Sequence, residues 1–190
     1  MLDPITSLAF SMQSAKGVYA LLLGSGVSRS AKIPTGWEIT LELVRKIAAA
    51  QGAGELPGDS AEGWYRDTFG HAPDYAQLLD GLAKTPSERQ HVLKNYIEPD
   101  AVERERGDKL PTPAHRAIAR LVSAGYVRVI VTTNFDQLLE DALKEQGVSP
   151  TVITSAHAAA GAVPLVHAGC TVIKVHGDYL VGPAIRLNPA

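Results

Sequence analysis

The chain has one cysteine, Cys170, among its 190 residues. A single thiol excludes a disulfide framework and a four-cysteine zinc site formed within this chain. Disulfide-dependent proteins belong to oxidising compartments, so the scarcity of cysteine favours a reducing one. The chain is long enough to form one sizeable hydrophobic core without such cross-links.

Long apolar runs and strong charge are also lacking. No apolar run approaches the roughly 18 residues of a membrane helix, and MLDPITSLAFSMQ at the start lacks the basic and apolar regions of a signal peptide. The formal net charge is −2, and no run of five like charges occurs. Nothing therefore favours a nucleic acid as partner, and we expect a soluble cytoplasmic protein without membrane association.

Alternation of strand-like and helix-like segments predicts an α/β fold. Asp3 followed by Pro4 is typical of a helix start. The β-favouring runs predict strands at 18–23, 126–132, 151–154 and 171–176. The first run has no polar position, which predicts a strand covered on both faces. Helix-length segments separate the runs, so we expect a Rossmann-like, doubly wound parallel sheet.

Residues 53–110 are predicted to form a helical insertion between the first two strands. Glycine and proline indicate a loop at 52–63, and two helical patterns between 74 and 98 are divided at Thr85 and Pro86. Side chains with rings in this region either cap a ligand pocket or form the core of the insertion, the commoner use of aromatic residues on helices. They are Trp64, Tyr65, His71 and Tyr75.

Polar clusters follow three of the predicted strands. They are Gly24, Ser25, Gly26 and Ser28 after the first strand, Thr133, Asn134 and Asp136 after the second, and His176, Gly177 and Asp178 after the fourth. Ligands of open parallel sheets bind outside the carboxyl ends of the strands. If the sheet is parallel, the three clusters lie at one edge and predict a ligand site there.

The glycine loop after the first strand has the chemistry of a phosphate site. Gly24 and Gly26 permit positive φ angles and a close approach of the main chain to a pyrophosphate. Arg29 stands where the dinucleotide fingerprint GxGxxG has its third glycine, and no Walker lysine pattern is present. Taken alone, the loop is equally well read as a structural turn.

The other two clusters carry candidate catalytic groups beside structural alternatives. Asp136 is placed to cap the helix that follows it, and Asn134 could satisfy turn amides, so a structural reading is favoured for each alone. His176 directly follows a strand and precedes a glycine, which suits a general base. The remaining histidines have no metal-ligand spacing and receive no role; they are His71, His91, His115, His157 and His167.

Taken together, the clusters resemble the sirtuin superfamily. GSGVSRSAKIP at 24–34, TTNFD at 132–136 and VHGDY at 175–179 occur in the order of the family patterns GAG(I/V)S…GIP, TQNxD and HG. The matching residues are Gly24, Gly26, Val27, Ser28, Ile33 and Pro34; Thr132, Asn134 and Asp136; His176 and Gly177. The resemblance spans 18–179, and the second and third motifs look most like sirtuin-like domains of bacterial defence proteins, which hydrolyse NAD.

Several positions depart from the family pattern. Ser25 replaces an alanine, Lys32 replaces the glycine before Ile-Pro, and Gly36 with Trp37 stands in place of a Phe-Arg pair. The zinc-binding cysteines of sirtuin deacylases are missing after the HG pair, so we expect no zinc, and the resemblance disfavours a protein deacylase. The resemblance also implies that residues 1–190 are the N-terminal part of a larger domain, incomplete at its C-terminus.

The resemblance implies a role for each matched residue. The loop, with Gly24, Ser25, Gly26, Val27, Ser28, Ile33 and Pro34, would bind NAD and hold its diphosphate, assisted by Thr133 and Gly177. Asn134 would orient the nicotinamide ribose or the attacking water, Asp136 would contact the nicotinamide amide, and His176 would act as general base.

The function expected on this basis is NAD hydrolysis in antiphage defence. NAD would be the substrate, and a C-terminal effector or sensor domain and a homo-oligomer are the expected partners. Three alternatives stay open: a module that senses NAD or an ADP-ribose derivative without cleaving it, a protein ADP-ribosyltransferase or deacylase, and a scaffold for assembly with an effector domain.

Overall fold

A four-stranded parallel sheet forms the centre of the part of the chain that the structure describes. The computed structural model describes residues 3–58 and 60–178. Strands β1 (Tyr19–Leu23), β2 (Val127–Thr132), β3 (Thr151–Ile153) and β4 (Thr171–Lys174) lie in the order β1-β2-β4-β3, with every pairing parallel. The predicted α/β, Rossmann-like architecture is thereby confirmed.

Helices connect the strands, as the crossovers of a parallel sheet require. Their bounds are α1 (Pro4–Ser14), α2 (Gly36–Ala50), α3 (Ser60–Phe69), α4 (Tyr75–Leu82), α5 (Pro86–Ile97), α6 (Ala101–Arg106), α7 (Pro113–Ser123), α8 (Leu138–Glu145) and α9 (Ala156–Gly161). A 3₁₀ helix, Ser25–Ala31, follows β1 directly. No helix in the described part of the chain is long and apolar enough to cross a membrane.

Short polar signals in the sequence set the helix starts. The carboxylate of Asp3 accepts hydrogen bonds from the first amides of α1, as its pairing with Pro4 predicted. Thr35 and Glu38 form a capping box at α2, each side chain bonded to the main chain of the other. Gly125, with φ +79°, ends the α7 segment.

Apolar side chains form two main clusters. One lies around β2 and β4 and includes Val127, Ile130 and Val172 of the strands together with residues of α7 and α8. The other joins α2 to the insertion helices α3, α4 and α5, and Ile39 and Leu43 of α2 are among its buried members. The insertion therefore packs on the helix that follows the glycine loop, while its boundaries at 53–110 stay a prediction.

The prediction that the first strand is covered on both faces is wrong for the described residues. β1 is an edge strand, and Ala20 and Leu22 face solvent, with Leu22 79% exposed. Leu21 and Leu23 lie on the other face and pack against the β2–β4 core. An unbroken apolar run indicates burial on both sides only when the strand is central.

Three local expectations also need correction. α3 begins at Ser60, so the predicted loop at 52–63 ends earlier. The last predicted strand, 171–176, ends at Lys174, and His176 lies in the turn that follows. α8 begins at Leu138, so Gln137 separates the helix from Asp136, which was expected to cap it. In each case local propensity located the element but not its end.

Candidate functional site

The register of the sheet brings the three polar clusters together. Leu23 pairs with Thr132, and Thr132 pairs with Lys174, so β1, β2 and β4 end at the same level. Parallel pairing places all three carboxyl ends at one edge. The glycine loop, the TTNFD segment and the His176 turn therefore surround one region, as predicted.

A cavity of about 170 Å³ lies at this edge. It is lined by Ser25, Ser28, Ile33, Pro34, Gly36, Thr133, Asn134, Phe135, Asp136 and His176. Eight of these are predicted site residues, whereas Gly24, Gly26, Val27 and Gly177 are not among the lining residues. Tyr179, the last residue of the VHGDY motif, lies outside the described residues.

A buried hydrogen-bond network joins the glycine loop to the TTNFD segment. The Ser28 hydroxyl donates to Asp136 Oδ2 at 2.8 Å and accepts from Asn134 Nδ2 at 3.0 Å. The other oxygen of Asp136, Oδ1, accepts from the Leu138 amide at 3.1 Å, at the start of α8. Asp136 thus binds the helix end, as a capping residue would, and also fixes Ser28.

The network leaves one atom of Asn134 unused. Asn134 is 9% exposed, and its Oδ1 has no hydrogen-bond partner among the described residues. Its amide nitrogen faces Ser28 and the Asp136 carboxylate, which cannot donate a proton, and this fixes which end of the amide is the oxygen. A buried acceptor without a partner is costly, so a ligand or water that donates to it would be favoured.

His115 belongs to this network, although no role was predicted for it. It lies in α7 and is 1% exposed, with Nε2 3.4 Å from Ser28 Oγ. The Thr112 amide donates to Nδ1 at 3.1 Å, so the proton of the neutral ring is on Nε2 and points to Ser28. Burial lowers the pKa of His115, which keeps the ring neutral. The PTPAH segment places the histidine on a helix, but only the fold brings it beside Ser28.

The glycine loop does not use the positive φ angles that its glycines permit. Gly24 has φ −114°, and Gly26 is not among the residues with positive φ. Instead of a tight turn, the segment forms the 3₁₀ helix. A Cβ added at Gly26 would meet no described atom within 4 Å, so the main chain is open to approach there.

Lys32 takes the left-handed conformation in place of the family glycine. Its φ is +61° at the end of the 3₁₀ helix, a region that favours glycine. The side chain is mostly exposed and pairs with Asp108 at 2.9 Å. The next residue, Ile33, is buried against Ala31 and Leu138, so the turn at Lys32 brings Ile33 and Pro34 to the cavity.

His176 lies in a turn at the end of β4. The Gly177 amide donates to the carbonyl oxygen of Lys174 at 3.1 Å, and Gly177 has φ +79°. This left-handed backbone conformation favours glycine. The imidazole is exposed and lines the same cavity as Asn134.

Lys174 is a second buried residue that sequence reasoning missed. Its ammonium pairs with Glu140 at 2.7 Å and with Asp178 at 2.6 Å. A charged residue in the apolar run TVIKVH was the available signal, because lysine is almost never fully buried unless it is paired.

The ring-bearing residues of the insertion contribute mainly to its core. Tyr65 is buried and packs against Phe69 and His71, none of which lines the cavity. Tyr75 stacks on Phe135, with ring centroids 6.2 Å apart, and Phe135 lines the cavity. The insertion therefore reaches the cavity through Phe135. Burial raises the pKa of Tyr75 to about 12.

Metal-ligating side chains are not clustered in the described residues. No group of three or more His, Cys, Asp or Glu residues there could hold a metal ion. Cys170 is buried, and burial raises the pKa of its thiol to about 11, which disfavours the thiolate form.

Comparison with known protein families finds a similarity in the C-terminal third of the chain. No curated protein matches the chain. The family model described as a SIR2-like domain matches residues 128–186, which contain Asn134, Asp136 and the His176–Gly177 pair but not the glycine loop. A SIR2-like domain is consistent with an NAD-dependent enzyme. The match supports the resemblance to the sirtuin superfamily over this segment of the chain.

Proposed function

We propose that the chain hydrolyses NAD to nicotinamide and ADP-ribose at the cavity beyond β1, β2 and β4. The observation that carries the proposal is the unpartnered Asn134 Oδ1 in a cavity that His176 also lines. An acceptor and a basic imidazole at one cavity suit the activation of water at a sugar carbon.

The size of the cavity favours one end of the dinucleotide. Its volume of about 170 Å³ is below the roughly 300–1,000 Å³ typical of pockets for drug-sized ligands. We therefore assign it to the nicotinamide and its ribose. Ile33, Pro34 and Phe135 supply apolar surface for the nicotinamide ring.

The reaction follows from the groups at the cavity. Asn134 Oδ1 accepts a hydrogen bond from the ribose or from the attacking water, and His176 takes the proton of that water. A C–O bond forms at C1′ while the C–N bond breaks, and nicotinamide leaves with the bonding electron pair and becomes neutral. Oxygen acceptors at the cavity, such as Asn134 Oδ1, stabilise the positive charge that develops on the ribose.

The buried residues of the network hold Asn134 in place. Ser28 and Asp136 accept from its Nδ2, at 3.0 and 3.4 Å, and so direct its oxygen away from them. Because the Ser28 hydroxyl already donates to Asp136, we assign both residues to orientation. We assign the diphosphate to the main chain of Gly24, Ser25 and Gly26, where the open space at Gly26 gives access. The Val27 amide already donates to the Gly24 carbonyl oxygen at 3.2 Å.

Nicotinamide release by single variants tests the proposal. We expect Asn134→Ala and His176→Ala to lower kcat by about 100-fold or more, since general acid–base groups contribute about 10²–10⁴-fold. Asn95→Ala and His157→Ala are matched controls, because both side chains are exposed and neither lines the cavity. Wild-type rates in Asn134→Ala and His176→Ala would refute the assignment.

The resemblance to bacterial defence proteins extends the proposal to antiphage defence. We propose that the protein depletes NAD during infection, within a homo-oligomer and together with a C-terminal effector or sensor domain. Equal phage titres on cells with wild-type protein and with Asn134→Ala would argue against this role.

A further inference from the structure

Lys174 is fully buried in a position where packing alone would favour an apolar residue. It ends β4 and is 1% exposed. Its ammonium donates to the main-chain carbonyl oxygen of Asp136 and to Asp178 Oδ2, both at 2.6 Å, and lies 2.7 Å from Glu140 Oε1. The first two oxygens accept hydrogen bonds from the ammonium, whereas the contact with Glu140 is an ion pair without hydrogen-bond geometry.

The charges around Lys174 keep it protonated. Burial alone would lower its pKa, but Glu140 and Asp178 outweigh burial and leave the pKa of Lys174 raised. A buried cation of this kind needs its partners, since removing one charge from such a group leaves another uncompensated.

We propose that Lys174 is a positioning residue that fixes the Asn134–Asp136 loop relative to the His176 turn. Its side chain binds the main chain of Asp136, while its own carbonyl oxygen accepts the Gly177 amide that closes the His176 turn. One residue therefore ties together the backbone on both sides of the cavity. Lys174 does not line the cavity itself, so it acts through the residues that do. The effect on catalysis rests on the function proposed above.

The hydrogen bond from Lys174 Nζ to the Asp136 carbonyl oxygen distinguishes a positioning role from a role in charge balance alone. Glu140 and Asp178 need a cation nearby, but they do not need it bonded to the Asp136 carbonyl. Without that bond the loop loses a buried link, and small displacements of a reacting group can cost about 100-fold in rate.

Two variants distinguish positioning from charge balance. Lys174→Met removes the ammonium and leaves the buried carboxylates uncompensated, so we expect a lower melting temperature. Lys174→Met with Glu140→Gln removes one cation and one carboxylate together and should restore much of the melting temperature. Lys144→Met is the matched control, because Lys144 is exposed and pairs with Asp141 on the surface.

The kinetics of nicotinamide release then decide between positioning and charge balance. We expect the double variant to keep a kcat at least about tenfold below wild type, with little change in KM, because the missing bond positions groups during the reaction. A double variant with wild-type kcat would overturn the proposal, since charge balance alone would then explain Lys174. Lys144→Met should match wild type.

Hydrogen exchange keeps the proposal testable if the wild-type protein releases no nicotinamide. That result would refute the proposed function, but the amides of 133–138 would still report on the loop. We expect faster exchange there in the double variant than in wild type or Lys144→Met, with α7 unchanged. Unchanged exchange at 133–138 would overturn the positioning role.

Discussion

Lys32 shows how one residue can depart from the family pattern and keep the backbone path. It replaces the glycine before Ile-Pro and still adopts φ +61°. A side chain in the left-handed region costs roughly 1–2 kcal/mol relative to glycine. The turn is therefore held by its surroundings, including the burial of Ile33 immediately after it.

We predict that Lys32→Gly is more stable than Lys32→Ala by about 1 kcal/mol in the free energy of unfolding. Both variants lose the pairing with Asp108, so their difference isolates the backbone term. Urea denaturation of the two variants measures it. Equal stabilities would show that position 32 does not keep the left-handed conformation.

We also predict that His115 makes stability depend on pH. Because burial lowers its pKa in the folded protein, the unfolded chain takes up the proton first as pH falls below its ordinary value of about 6.5. The contribution of His115 is thus complete above that pH and is lost below it, by at most about 1.4 kcal/mol per pH unit.

Urea denaturation of wild type and His115→Gln between pH 7 and pH 5 checks this prediction. Carboxylates that titrate in the same range are common to both proteins and cancel in the difference. The stability of wild type should fall more steeply, and parallel curves would contradict a buried neutral His115.

The sequence indicated the site residues that follow strands, but not the residues that hold them. Asn134, Asp136 and His176 stand out because each follows a β-favouring run, and parallel pairing then places them at one edge. His115 reaches Ser28 from a separate helix, 87 residues along the chain. Such contacts are set by tertiary packing, which the local pattern does not contain.

At the scale of the elements, the position of β1 at the sheet edge determines how much its apolar residues contribute to the free energy of unfolding. Leu22 is 79% exposed, whereas Ile130 on the neighbouring β2 is fully buried. We predict that Leu22→Thr changes the free energy of unfolding by less than about 0.5 kcal/mol, as at other surface positions.

Ile130→Thr is the comparison in the adjacent strand and should cost about 2–4 kcal/mol, through lost apolar burial and a buried hydroxyl. Thermal or urea denaturation of both variants measures the contrast. Equal losses would mean that the face of β1 carrying Leu22 is covered in solution.

Helix positions were easier to predict than strand order, for a physical reason. Caps such as Asp3 with Pro4 lie within a few residues of the helix they start. The order β1-β2-β4-β3 depends on which strands pair across the whole chain. An apolar run such as Leu21–Leu23 does not reveal whether its strand is central or at an edge.

At the scale of the whole molecule, the sheet edge gathers groups from three distant segments into one cavity. The glycine loop, TTNFD and the His176 turn are separated by the insertion and by two crossovers, yet they line one space. Buried links from His115 and Lys174 support that arrangement. We therefore propose that NAD is hydrolysed at this edge.

The ratio of free nicotinamide to free ADP-ribose tests this proposal most directly. Purified protein is incubated with NAD, and free nicotinamide and free ADP-ribose are quantified by chromatography. Hydrolysis predicts equal amounts of both products from wild type and almost none from Asn134→Ala. Intact NAD, or nicotinamide released without an equal amount of free ADP-ribose, would contradict the account.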